Sequence, residues 1–246
     1  MFPFIHIATL SIPARPLILL AAFWIAAGAA ERGAKRLGLR GDDVYNLAFW
    51  GGLAFLLGAR LGYVLQYWSA YQNDLGSIVA LNFNTLSPIG GLIAAIAVAY
   101  GYARRKGIAH RKLLDALTPG FIVFAAALAL ADYASGDGYG SPSALAWSIE
   151  LWGELRHPVQ LYQLIAVLVI GLIVLRSHRS FNGAHFGLFA ALYAASRLIL
   201  EAFHGDSTTY AGVRVSQVWS FAALMVLLIL LRRWALSAHT DTGEAA

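Results

Sequence analysis

Residues His185 to Phe203 read HFGLFAALYAASRLILEAF. As a helix this stretch rises about 28 Å, close to the roughly 30 Å hydrocarbon thickness of a bilayer. Arg197 and Glu201 interrupt it four residues apart, so on a helix they share one face. Ionised side chains in hydrocarbon are costly. They pair, line a polar cavity, or mark the path of a substrate.

Working outward, the same apolar texture recurs along all 246 residues. The chain is 59% hydrophobic and 13% charged, about half the charge of a soluble domain. The apolar residues form long runs and not amphipathic stripes, which predicts an all-α polytopic membrane protein. Seven spans are expected, at about Ala14–Ala30, Val44–Trp68, Leu86–Ala103, Asp115–Asp132, Pro158–Leu175, His185–Phe203 and Ser216–Leu231. They make one integral membrane domain, 1–246, with an N-terminal arm (1–13), a glycine-rich loop (133–157) and a C-terminal tail (232–246).

Positive charge sets the expected orientation. Loops 31–43, 104–114 and 176–184 and the tail hold thirteen of the 18 Lys and Arg residues. The opposite loops hold Arg15, Arg156 and Arg214. By the positive-inside rule the N-terminus is external and the C-terminus cytoplasmic. The same asymmetry accounts for the net charge of +5 without nucleic acid. There is no cysteine, so thiolate metal sites and a cysteine nucleophile are excluded from this chain. No metal or cofactor is assigned.

This orientation puts Arg60, Asp132, His157, Gln160, Arg197 and Glu201 in the outer half of the membrane. Arginines there suit an anion at headgroup level, such as a phospholipid phosphate, because the guanidinium fork matches its oxygens. Each residue also has a structural reading. Arg197 and Glu201 can simply join two helices, and Arg60 can pair with Asp132. Gly58 and Gly62, flanking Arg60, have the GxxxG spacing of close helix packing. His157 can cap the helix after Pro158, and Tyr162 can be an interfacial anchor.

Several segments resemble the prolipoprotein diacylglyceryl transferase family. Arg156 to Gln163, RHPVQLYQ, is similar to its H-P-x-Q-L-Y-E motif. Asn46 to Tyr67 resembles the span with its G-R-x-G-Y segment, and Phe186 to Phe203 the span with its R-x-x-x-E. Ile89-Gly90-Gly91-Leu92 resembles its H-G-G-L segment. The family signature G-R-x-G-N-F-x-N-x-E-x-x-G falls on LALADYASGDGYG, residues 128–140. Asp137 and Gly140 keep its acid and last glycine. Its Arg falls on Ala129 and its two Asn on Asp132 and Ser135. The His of H-G-G-L falls on Ile89, the Glu closing H-P-x-Q-L-Y-E on Gln163, and the first-span Tyr has no counterpart between Leu17 and Phe23.

The resemblance implies a multi-pass protein of the bacterial cytoplasmic (inner) membrane. Its activity would move a diacylglyceryl group from phosphatidylglycerol to the lipobox cysteine thiol of a prolipoprotein signal peptide. It implies catalytic roles for Arg197, Glu201 and His157. Lipid contact is implied for Arg60, Asp132, Asp137, Gln160, Tyr162, Gly90 and Gly91. Ala129 and Ile89 keep open a relative that binds or modifies anionic phospholipid without the transfer. The buried charges by themselves would also suit a small transporter.

Overall fold

The computed structural model describes residues 4–7, 10–79 and 85–243, and of residues 5–7, 10 and 239–243 only the backbone. Eight helices dominate it: α1 (Ala14–Arg36), α2 (Gly41–Gln66), α3 (Trp68–Tyr71), α4 (Pro88–Arg105), α5 (His110–Ser135), α6 (Val159–Arg176), α7 (Ala184–Leu200) and α8 (Val215–Gly243). Short antiparallel hairpins sit between them: β1 (Phe4–Ile7) with β2 (Leu10–Pro13), β3 (Ile149–Leu151) with β4 (Glu154–Arg156), and β5 (Thr209–Tyr210) with β6 (Val213–Arg214). The chain is an all-α polytopic membrane protein. Among the described residues six helices, α1, α2, α5, α6, α7 with the turn after it, and α8, are long and apolar enough to cross a membrane.

The expected third span, α4, is not among the six. It has 18 residues, and its last turns carry Tyr100, Tyr102, Arg104 and Arg105, so its apolar run is shorter. The expected N-terminal arm is the β1–β2 hairpin where it is described, and residues 1–3 and 8–9 of it lie outside the described residues. The expected tail continues α8 as helix to Gly243, and its last three residues lie outside the described residues.

Local chemistry explains the helix ends near the site. Ser87 caps α4: its Oγ accepts the Gly90 amide at 3.4 Å, and Pro88 follows at the first helical position. α5 ends where Gly136 takes φ +80°, a left-handed conformation that glycine adopts without a Cβ clash.

Packing uses small residues. α1 lies along α5 through buried Ala26, Ala27, Ala30 and Ala34. A Cβ on Gly33 would sit 2.5 Å from the Ala116 carbonyl oxygen, and one on Gly120 2.7 Å from that of Ala26. In lipid no hydrophobic force drives helices together, so such close backbone approach supplies the attraction. α2 and α4 meet in the same way, Gly58 and Gly62 facing Gly90. α6 joins α5, and α7 packs on α6 and α8. α8 buries none of its apolar window, with Val226 more than half exposed, and Leu65, Ile93 and Leu168 are more than half exposed on other helices. That surface suits hydrocarbon and not water.

At the far end of α5 from the site, Asp115 is fully buried and accepts three hydrogen bonds. Arg179 Nε donates at 2.8 Å, the Gly183 amide at 2.7 Å and the Phe186 amide at 3.1 Å. The carboxylate thus caps the start of α7 and ties it to α5. Asp115→Ala should cost about 3–5 kcal/mol, because it strands a cation and two amides. Thermal unfolding of the purified protein in detergent should show a lowered midpoint, and an unchanged midpoint would remove the staple role.

Candidate functional site

The start of α1, the end of α5, the start of α6 and the end of α7 converge at one end of the bundle. The residues after α5 hold them together. Segment 139–142 runs between the exit of α7 and the entry of α6. The Ser141 amide donates to the Phe203 carbonyl at 2.8 Å, the Gly205 amide to Tyr139 at 2.9 Å, and the His157 amide to Ser141 at 3.0 Å. Gly140 pairs with His204 in an isolated bridge, and a Cβ on it would lie 2.1 Å from the His157 carbonyl oxygen. No other residue fits this junction.

Arg197 lies on the last turn of α7, about one-third exposed, with Nη2 3.7 Å from Glu201 Oε2. That contact is long for an ion pair, so Arg197 keeps its donors free of a tight partner there. Glu201 is buried in the 3-10 turn Glu201–Phe203, where Ser207 Oγ donates to its Oε1 at 2.7 Å. Arg214 wraps the same turn, donating from Nη1 to the carbonyls of Glu201 (2.5 Å) and His204 (2.7 Å) and to Ser207 Oγ (2.9 Å).

Asp132, near the end of α5, is met by Arg15 Nη2 at 3.0 Å, and Asp137 Oδ2 by Arg15 Nη1 at 2.5 Å. The first contact is an ion pair without hydrogen-bond geometry, so Asp132 Oδ1 has no donor directed at it. Arg197 and His204 also act electrostatically on Asp132. Gln160 is buried on the first turn of α6 and donates to the Asp137 carbonyl at 2.8 Å. Its Oε1, like that of Gln163 one turn on, is a buried acceptor without a protein donor. Buried acceptors left unfilled by protein mark a place for a hydroxyl-bearing ligand or for water.

His157 packs edge-on against Phe203, and its Nδ1 is 3.3 Å from Tyr162 Oη. Trp147 Nε1 donates to that same oxygen at 2.7 Å. Tyr162 Oη thus bridges the indole of Trp147 and the imidazole of His157.

Asp132, Asp137, His157, Gln160, Tyr162, Arg197 and Glu201 therefore meet at one place. Arg60 is engaged elsewhere. Its Nε donates to Ile78 O (2.9 Å), Nη2 to Ser77 O (2.6 Å) and Nη1 to Thr85 O (3.2 Å) and to the Thr85 hydroxyl. Tyr71 stacks under the guanidinium, 5.3 Å from its ring centroid. The alternative pairing of Arg60 with Asp132 is not formed, and Arg15 takes that acid. Gly90 and Gly91 lie in the α2–α4 seam, where a Cβ would meet Gly58 and Phe55 backbone at 2.6 and 2.8 Å. Ile89 is exposed.

Sequence reasoning passed over Arg15, His204, Arg214 and Trp147. Arg15 meets Asp137 across 122 residues, and no local pattern announces such a pair. His204 is the more legible miss, since it directly follows the apolar stretch that carries Arg197 and Glu201.

Fold and site together define a polytopic membrane protein with a charged, acceptor-rich site at one end of its helices. The profile of the prolipoprotein diacylglyceryl transferase family matches residues 3–233. The chain belongs to that family, a family of enzymes. It is similar to the phosphatidylglycerol–prolipoprotein diacylglyceryl transferase of Finegoldia magna, 28% identical over 200 residues (80% of this chain, 81% of the relative). It is 29% identical to that of Clostridioides difficile over 198 residues, 80% of each chain. With that of Streptococcus pyogenes serotype M1 it shares 25% identity over 227 residues, 87% of this chain and 88% of the relative.

Arg60 anchors the turn Leu75–Val79, so Arg60→Gln should strip the carbonyls of Ser77 and Ile78 of their charged donor. Amide exchange across Leu75–Val79 should then accelerate at least tenfold in a hydrogen–deuterium experiment. Unchanged protection would show that the segment holds without it.

Proposed function

We propose that this chain transfers a diacylglyceryl group from phosphatidylglycerol to the lipobox cysteine thiol of a prolipoprotein, at the outer leaflet of the bacterial cytoplasmic membrane. The N-terminus is external in this reading, which puts the converged end of the helices at the external headgroup level. The observation that carries it is the junction itself. A partly exposed arginine, acidic groups, an imidazole and unfilled acceptors lie at one end of an apolar bundle, where a headgroup enters sideways from lipid.

The chemistry follows from those groups. The thiol gives its proton to His157, because only the thiolate is a strong nucleophile. Sulfur then attacks the glyceryl carbon that bears the phosphate ester. The carbon–oxygen bond breaks, and the electron pair leaves with glycerol phosphate. Arg197 holds the phosphate and meets the charge that develops on it, and buried Glu201 orients Arg197. Asp132 Oδ1 and Gln160 Oε1 accept hydrogen bonds from the glycerol hydroxyls.

Ala129 and Ile89 favour a second reading, binding of anionic phospholipid without transfer. Both readings need Arg197, and one assay separates them. Incubation with phosphatidylglycerol and a lipobox peptide should add the diacylglyceryl mass to the peptide. Arg197→Ala should lower the rate about 10²–10³-fold, the usual effect of removing a donor to developing charge. No mass gain under conditions in which the Clostridioides difficile relative works would leave only the binding reading.

A further inference from the structure

The arginines of the charged end fall into two kinds by what they hold. Arg60 is fixed by the carbonyls of Ser77, Ile78 and Thr85. Arg156 donates to the Leu151 and Gly140 carbonyls and to Glu154, over the Tyr139 ring. Arg214 is fixed by the carbonyls of Glu201 and His204. To take these cations, an anion would strand backbone acceptors inside the protein, which is costly. Arg15 and Arg197 differ. Their partners are carboxylates, and their side chains are 41% and 35% exposed. Exchanging a carboxylate oxygen for a phosphate oxygen conserves both charge and fork geometry. The carboxylate that Arg15 would release, Asp137, is half exposed and can turn to water.

Arg15 is also placed for this. It sits on the first turn of α1, and the tight α1–α5 seam sets it against the end of α5. Asp132, its second partner, is the acid on which Arg197 also acts. No cation comes from α5 itself one turn earlier, because Ala129 is buried there.

We propose that Arg15 is the second phosphate-binding cation of this site. It exchanges Asp137 for the phosphate of a glycerophospholipid headgroup while Asp132 holds its orientation. This rests on the reading above that the site takes phosphatidylglycerol.

The test measures phosphatidylglycerol retained by the purified protein in phosphatidylcholine nanodiscs, by native mass spectrometry. Arg15→Gln should lower retention about tenfold, the effect of one charge-assisted contact. Arg15→Lys should keep part of it. Asp137→Asn should raise retention several-fold, since it frees the guanidinium. This variant leaves Arg15 and its pair with Asp132 in place, so it reads out even where Arg15→Gln does not fold. Retention that falls in Asp137→Asn would make Arg15 a latch on the loop and overturn the proposal. Wild-type retention in Arg15→Gln, with loss in Arg197→Gln, would overturn it and leave the lipid reading standing. Retention unchanged in both would sink the lipid reading itself. Displacement of the lipid by inorganic phosphate would assign the site to free phosphate and overturn the headgroup assignment.

Discussion

The α1–α5 seam is the contact on which the site depends. Gly33 lets the Ala116 carbonyl approach, Gly120 does the same for that of Ala26, and the buried alanines of α1 fill the space between. In hydrocarbon, helices gain nothing by hiding apolar surface from one another, so van der Waals contact at this closeness is what holds them. The seam fixes where α1 starts relative to where α5 ends. From that follow the Arg15 pairs with Asp132 and Asp137, and through the Asp137 carbonyl the placement of Gln160 at the head of α6.

The same end of the molecule shows how one residue type serves two purposes. Arg60, Arg156 and Arg214 are brackets. They gather carbonyls from loops whose backbone would otherwise lie unpaired near an apolar bundle. Arg15 and Arg197 are held by acids and remain partly open. A fixed carbonyl cannot be replaced without cost, whereas a carboxylate trades places with another anion. Arginine count therefore says little about this site, and partner type says much.

Much of the fold was legible in the chain because its signal is one-dimensional. Long apolar runs and their charged flanks are local features. The Gly58 and Gly62 spacing announced a close helix contact, since such packing needs small residues one turn apart, and the structure supplied the partner, Gly90 of α4. Less legible was the marginal α4, whose tyrosines and arginines thin an otherwise apolar run. In the site, Arg197 with Glu201 and the His157–Tyr162 neighbourhood were readable as patterns within single segments. The assignment of Arg60 to the same cluster was not supported by such a pattern, and its partners are Ser77, Ile78 and Thr85.

The sequence by itself determined that this chain lives in a membrane and to which family it belongs. Hydropathy and motif spacing are properties of short stretches, and they survive without knowledge of what packs on what. Tertiary structure alone decided which charges meet. Arg15 reaches Asp137 across 122 positions, and His157 meets Phe203 only because segment 139–142 stitches two helix ends together. An ion pair is set by distance in space, and the spacing of residues along the chain carries no record of that distance until the helices have packed.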